Sequence, residues 1–286
     1  MTSRTIWRQL RNPASPHPLA RRVLKERARI AYPPFGPGLQ LLCGFMLCIS
    51  MLSPVGIILI GLGLFLVINS TAYTLAWVVS ISGRIARVRA DDQYTLISAT
   101  PPGKLGVHWA VCTGILHRSS RFDRIHRLIQ LLLGTILALV IIVTLITLSE
   151  ESTSNSRFIR SMTVLANFSL LLLVIYADHI QSIVLGCLAG MLAPLYVYRP
   201  IDARFAAGVF YLLVQCVSYL LALMIAGSGV NGLFGNSDQI LLVSLLRVAL
   251  FVGIREGFVV LLWYWLLQKS DSSPEQPFAQ SGVSAS

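Results

Sequence analysis

"LQLLCGFMLCISMLSPVGIILIGLGLFLVINSTAYTLAWVVSIS", residues 39–82, is an apolar run of 44 residues without a single charged side chain. As one helix, at about 1.5 Å per residue, it would measure about 66 Å, twice the hydrocarbon thickness of a bilayer. A run of this kind belongs in lipid and has to fold back. Its one turn signal is Ser53-Pro54, because proline removes a backbone donor and disfavours helix in the residue before it. The reading is therefore a helical hairpin, residues 35–53 and 55–82.

The rest of the chain has the same character. Of its 286 residues 55% are hydrophobic and 12% charged, with a mean hydropathy of +0.71, whereas a soluble domain carries roughly 25% charged residues. The expected fold is an all-α polytopic membrane protein with about six transmembrane helices and cytoplasmic amphipathic helices. Further spans are read over 128–148, from about 162, over 205–226 and over 239–267, the last closing on the interfacial cluster "WYW". Residues 162–198 are too many for one span and are interrupted by Asp178, His179 and Gln181. The fourth span is accordingly expected to end near Asp178, with 180–195 lying at the inner interface or dipping into it. Asp178 and His179 would then cap the helix end or face water.

Charge sets the orientation. The 23 lysines and arginines give a net charge of +11, and eight fall within 1–34 and eight within 83–127. Positive charge gathers on the cytoplasmic side of membrane proteins, so both termini are expected there, in a plasma (inner) membrane. Residues 1–34 form a basic cytoplasmic or interfacial segment, 35–267 a six-span domain with a cytoplasmic segment at 83–127, and 268–286 a disordered tail. In a soluble chain this charge would suggest nucleic acid; beside membrane spans it predicts anionic lipid and no nucleic acid.

Chemistry-bearing patterns are few. The single Gly-Lys, Gly103-Lys104, is followed by Leu105 and lacks the preceding glycine of a phosphate-cradling loop. The five histidines and five cysteines show no zinc-ligand spacing, and the cysteines read as packing residues. No catalytic residue, metal or cofactor is expected. An intramembrane enzyme has only Glu256, Asp178 and His179 in its favour.

"RADDQYTLISATPPGK", residues 89–104, follows directly on the hairpin. As a helix, 84–100 places Ile85, Val88, Leu96 and Ala99 on one side and Arg87, Asp91 and Ser98 on the other, with Asp92 interrupting it. Pro101-Pro102-Gly103 ends that helix, and a second runs from Lys104 to about His117. Such a pair either lies on the lipid surface as a plain connector or docks a cytoplasmic partner.

Ile85-Ala86-Arg87-Val88-Arg89 and Leu96-Ile97-Ser98-Ala99-Thr100-Pro101 resemble the first cytoplasmic segment of type-2 ATP-binding-cassette (ABC) transporter permeases, I-A-x-E-R-E-x-G-T-x-E-L-L-x-A-T-P. The N-terminal "NPASPHPLARRVLKERAR" is similar to the basic interfacial helix before their first span. The family's acidic positions are Val88, Ala90 and Thr95 here, and its glycine is Asp92. The resemblance implies a permease subunit of an ATP-driven transporter, docking a separate nucleotide-binding ATPase subunit through 84–117 and pairing with a second permease chain. The docking residues would be Arg87, Arg89, Asp91, Leu96, Ser98, Thr100 and Pro101. The alternative is a non-transporting scaffold or assembly protein of permease-like shape.

Arg247, Arg255 and Glu256 lie within the last apolar run. Ionisable groups at such depth are costly and face a bundle interior or a wet cavity, so they mark a translocation path, a structural ion pair, or a run that starts with a re-entrant segment and places Arg247 near the outer interface. Asn69, Ser70 and Thr71, midway along the second span, suggest hydrogen bonds between helices. Gly186 and Gly190 form a Gly-x-x-x-Gly face, compatible with packing inside one subunit or between two.

Overall fold

A computed structural model describes residues 2–11, 55–90, 94, 103–118, 120–150, 155–225 and 240–270. The described chain is all-helical and holds no strand. Helix α1 spans Ser3–Arg11, α2 Val55–Arg89, α3 Gly103–Arg118, α4 Ser120–Glu150, α5 Asn155–Leu192, α6 Pro200–Met224 and α7 Ile240–Ser270, with a 3-10 turn at Ala193–Leu195. The first arm of the expected hairpin, 35–53, lies outside the described residues. The chain divides into two compact units, the first made of Met1–Ser119, Ile180–Gln215 and Phe258–Ser286, the second of Ser120–His179 and Cys216–Gly257.

In the first unit α3 is buried along almost its whole length, from Leu105 to Leu116, as expected of a helix that is apolar on every side. Gly103 opens it at a φ of +62°, directly after two prolines, a left-handed conformation that costs glycine nothing because it has no Cβ. α2 packs against α3 and the 3-10 turn, and α1 against α3. The short α1 buries Ile6, Trp7 and Leu10 on one face and exposes Arg4, Arg8 and Arg11 on the other. A ring nitrogen of His117 donates to the Leu10 carbonyl at 2.7 Å.

Two helices run further than the sequence predicts. α5 does not end near Asp178 but continues to Leu192, and residues 181–192 are buried core of the first unit. The polar residues that seemed to interrupt it are buried; once their polar groups find partners inside the fold, they give no reason to break a helix. Gly186 and Gly190 do not break it either. A Cβ on Gly186 would lie 2.2 Å from Thr74 Cγ2, and one on Gly190 3.2 Å from Ile81 Cγ2, so this glycine face packs against α2 within the chain.

α2 likewise runs past Ser82 to Arg89, so residues 84–89 are its last turns and not part of a separate amphipathic helix. Ser82 Oγ donates to the Ala203 carbonyl at 2.7 Å, and a Cβ on Gly83 would meet Arg204 Nε at 2.1 Å. α2 and α6 therefore cross closely there, and the glycine serves the crossing. Thr71 turns its hydroxyl back to Val67 O at 2.9 Å, within α2 itself, and not to a neighbouring helix.

Among the described residues two helical stretches, Leu165–Leu195 and Pro200–Met224, are long and apolar enough to cross a membrane. α6 displays its apolar residues outward: Ile201 is 78% exposed and Phe205 75%, with Val209, Leu213, Leu220 and Leu223 also exposed. Its polar residues Gln215 and Ser218 are buried, and Gln215 Nε2 donates to Ser182 Oγ at 3.0 Å. Apolar outside and polar inside is the reverse of an aqueous surface.

Candidate functional site

The strongest concentration of polar chemistry lies in the second unit, where α5, α6 and α7 each contribute one group. Asp178 of α5 forms an ion pair with Arg255 of α7. The two are 3% and 0% exposed. Tyr219 of α6 lies 3.0 Å from both Asp178 carboxylate oxygens, so its hydroxyl proton is shared between them. The Arg255 guanidinium also sits over the Tyr219 ring, 4.5 Å from its centroid, and 5.9 Å from that of Phe251. The two rings stack at 6.2 Å.

This geometry explains how a charge is kept in an apolar place. Removing two ions from water costs several kcal/mol each, and their attraction offsets that only when the remaining hydrogen-bonding capacity is also used. Here the carboxylate has the guanidinium and a phenol, and the cation has an aromatic face, an arrangement that strengthens as water is excluded. Asp178 therefore does not cap a helix end or face water. It is the counter-ion of Arg255, and the ion-pair reading is the one the structure supports for Arg255. Arg247 and Glu256 are half-buried on the same helix.

A second polar group adjoins the first along α5. The rings of His179 and His126 stack at 6.0 Å and 15°, and Tyr176 lies 6.1 Å from His126. Gln130 Nε2 donates to the Tyr176 hydroxyl at 3.1 Å. Both histidines are buried.

The segment expected to dock a partner belongs to the first unit and is described only in part. Arg87 is exposed and Arg89 half-buried. The Arg89 guanidinium donates to the Pro194 carbonyl and lies 5.2 Å from the centroid of the Tyr198 ring. Asp91, Leu96, Ser98, Thr100 and Pro101 fall outside the described residues. Nearby, the Tyr94 hydroxyl and His108 Nε2 are 3.3 Å apart. Burial, with the positive charges of Arg89 and Lys104, pushes the His108 imidazole down to about 3. Cys112 on the next turn is hydrogen-bonded to Cys187, which together with burial raises its pKa. Cys112 and Cys187 are buried packing residues, whereas Cys216 is exposed.

Among the described residues no group of three or more His, Cys, Asp or Glu side chains is placed to hold a metal ion. The chain matches no protein-family model, no curated protein and no solved structure. Tyr219 and Phe251 were not legible as site residues, since an aromatic in an apolar run is ordinarily core. The clue that could have found Asp178 is charge balance: a deep arginine needs a counter-ion, and few acids lie within the apolar runs.

Proposed function

We propose that this chain is the membrane-spanning subunit of an ATP-driven transporter of the type-2 ABC permease kind, crossing the membrane about six times with both termini in the cytoplasm. A separate ATPase subunit docks on the segment 84–117 through its exposed residues, Arg87 and Lys104 among them, and a second permease chain completes the path. The observation that carries this reading is the unbroken course of α2. It leaves the apolar run, continues as one helix to Arg89, leaves Arg87 exposed, and is tied by Arg89 to Pro194, in the turn between α5 and α6. A push on the end of α2 is thereby delivered to the junction of the two most clearly membrane-compatible helices. The outward apolar face of α6 supports placement in lipid.

In this mechanism ATP-driven closure of the partner moves α2 and α3 together, because α3 is packed against α2. The Asp178–Arg255 pair supplies a two-state element, since a buried pair is favourable when closed and costly when separated in a dry interior. The test is recovery of the partner. Full-length chain isolated in mild detergent at native expression should bring with it a subunit that hydrolyses ATP, and the chain alone should hydrolyse none. Arg87→Glu should abolish recovery while insertion into the membrane is unchanged. Repeated isolation without a nucleotide-hydrolysing subunit would refute the proposal.

A further inference from the structure

At one edge of the first unit, three separate segments bring cations and aromatic rings together. The end of α2 contributes Arg89, over the Tyr198 ring at 5.2 Å. The end of α7 contributes Lys269, whose Nζ lies 5.7 Å from the centroid of the Tyr196 ring, and Trp265, 5.9 Å from Tyr196 and 5.9 Å from Phe210. The link between α5 and α6 contributes Tyr196, Tyr198 and Arg199. Arg199 and Lys269 are exposed, and Tyr198 is 77% exposed.

The plain account of two of these cations is that Arg89 and Lys269 stand in the last turns of their helices, where positive charge offsets the helix dipole. That account covers neither Arg199, which precedes α6, nor the exposure of the rings. Nor does it touch the outward face of α6 beyond them, where Ile201, Phe205, Val209 and Leu213, four apolar side chains at helical spacing, are all exposed. From 201 to 213 the helix rises about 18 Å, close to the thickness of one bilayer leaflet. The one carboxylate in this stretch, Asp202, is in the first turn of α6, where the helix N-terminus favours it, and it leaves a cationic excess.

We propose that the cluster of Arg89, Arg199, Lys269, Tyr196 and Tyr198 is a binding site for the phosphodiester headgroup of an anionic phospholipid, whose acyl chain lies along the exposed Ile201–Phe205–Val209–Leu213 face of α6. Cations, then amphipathic rings, then a purely apolar stripe is the order of chemistry along such a lipid. A protein partner from the aqueous phase would match the cations but not the stripe. The inference rests on membrane insertion, which the proposed function shares, and needs neither ATPase nor transport.

Trp265 is the reporter. The full-length chain is reconstituted into vesicles containing chain-brominated phosphatidylglycerol or phosphatidylcholine, and tryptophan quenching is compared, with Trp265→Phe defining the share due to that residue. The site predicts stronger quenching by the anionic lipid. Each cation removed, as Arg199→Gln or Lys269→Gln, should lower the preference about fivefold. Arg4→Gln with Arg8→Gln removes charge from α1 instead and should leave it intact. Equal quenching by both lipids, or a preference that falls as much with the α1 variant, overturns the proposal. So does reversal by millimolar inorganic phosphate, which would mark a free-anion site. If anionic-lipid preference persists while no ATPase is ever recovered, the site stands and the transporter reading falls.

Discussion

In the first unit helices meet through what is missing from their side chains, whereas in the second they meet around a charge. Gly186 lets α5 lie against α2 at a distance no Cβ would permit and Gly190 at one few Cβ atoms show, and the buried surface there is apolar with isolated hydroxyls. The second unit has at its centre an arginine that no water reaches, held by a carboxylate, a phenol and two rings. The contrast teaches where each region can change state. Interlocked small residues resist sliding because every displacement makes a steric clash. An ion pair has a second arrangement available whenever water or another charge can take one partner's place.

The largest effect should come from breaking the charged contact on one side only. Asp178→Ala leaves the guanidinium buried without its counter-ion and should cost about 3–5 kcal/mol, read as a drop in the thermal unfolding midpoint of the chain in detergent. Asp178→Leu combined with Arg255→Met removes both charges and should recover most of that loss. A single variant as stable as the parent would show that the pair does not hold the second unit together.

The corresponding break in the first unit is smaller. Gly186→Ala drives a Cβ to within 2.2 Å of Thr74 Cγ2 and 2.9 Å of Val78 Cγ2, an overpacking worth about 1–3 kcal/mol. Thr74→Ser, which deletes the nearest methyl, should restore part of it. Gly253→Ala is the internal control, since a Cβ there meets nothing within 4 Å; the same unfolding measurement should register no loss.

A pH dependence of comparable size is expected from the first unit. With the His108 imidazole lowered to about 3, the unfolded chain takes up a proton near the ordinary histidine value of about 6.5 while the folded chain does not. The unfolded state binds more protons between those values, so stability is unaffected above about 6.5 and falls as pH drops from there toward about 3, by about 1.4 kcal/mol per pH unit. His108→Gln should flatten this slope between pH 6.5 and 4.5. A slope unchanged in that variant would assign it to other groups.

Much of the fold was legible in the residues. Apolar runs longer than a soluble helix requires, with most of the charge in the segments between them, gave an all-helical chain, and Pro101-Pro102-Gly103 marked the start of α3. Helix ends were misread where a polar residue stood in for a terminus. Asp178 and His179 looked like the end of a span, and Ser82-Gly83 like another, because a sequence displays polarity without showing whether a partner awaits it. The site was half legible: Arg255 announced itself by its depth, but its counter-ion came from a residue 77 positions earlier, assigned to water.

Local physics, then, settled from sequence alone that this chain is helical, strongly apolar and basic between its apolar runs, since backbone hydrogen bonding and side-chain transfer energies act residue by residue. Tertiary structure decided that α5 passes unbroken through its polar residues, that the Gly186–Gly190 face packs against α2, and that Arg255, Asp178 and Tyr219 form one cluster. Those outcomes depend on which distant group lies within a few ångströms, and both the cost of a buried charge and the tolerance for a missing Cβ are set by that neighbour.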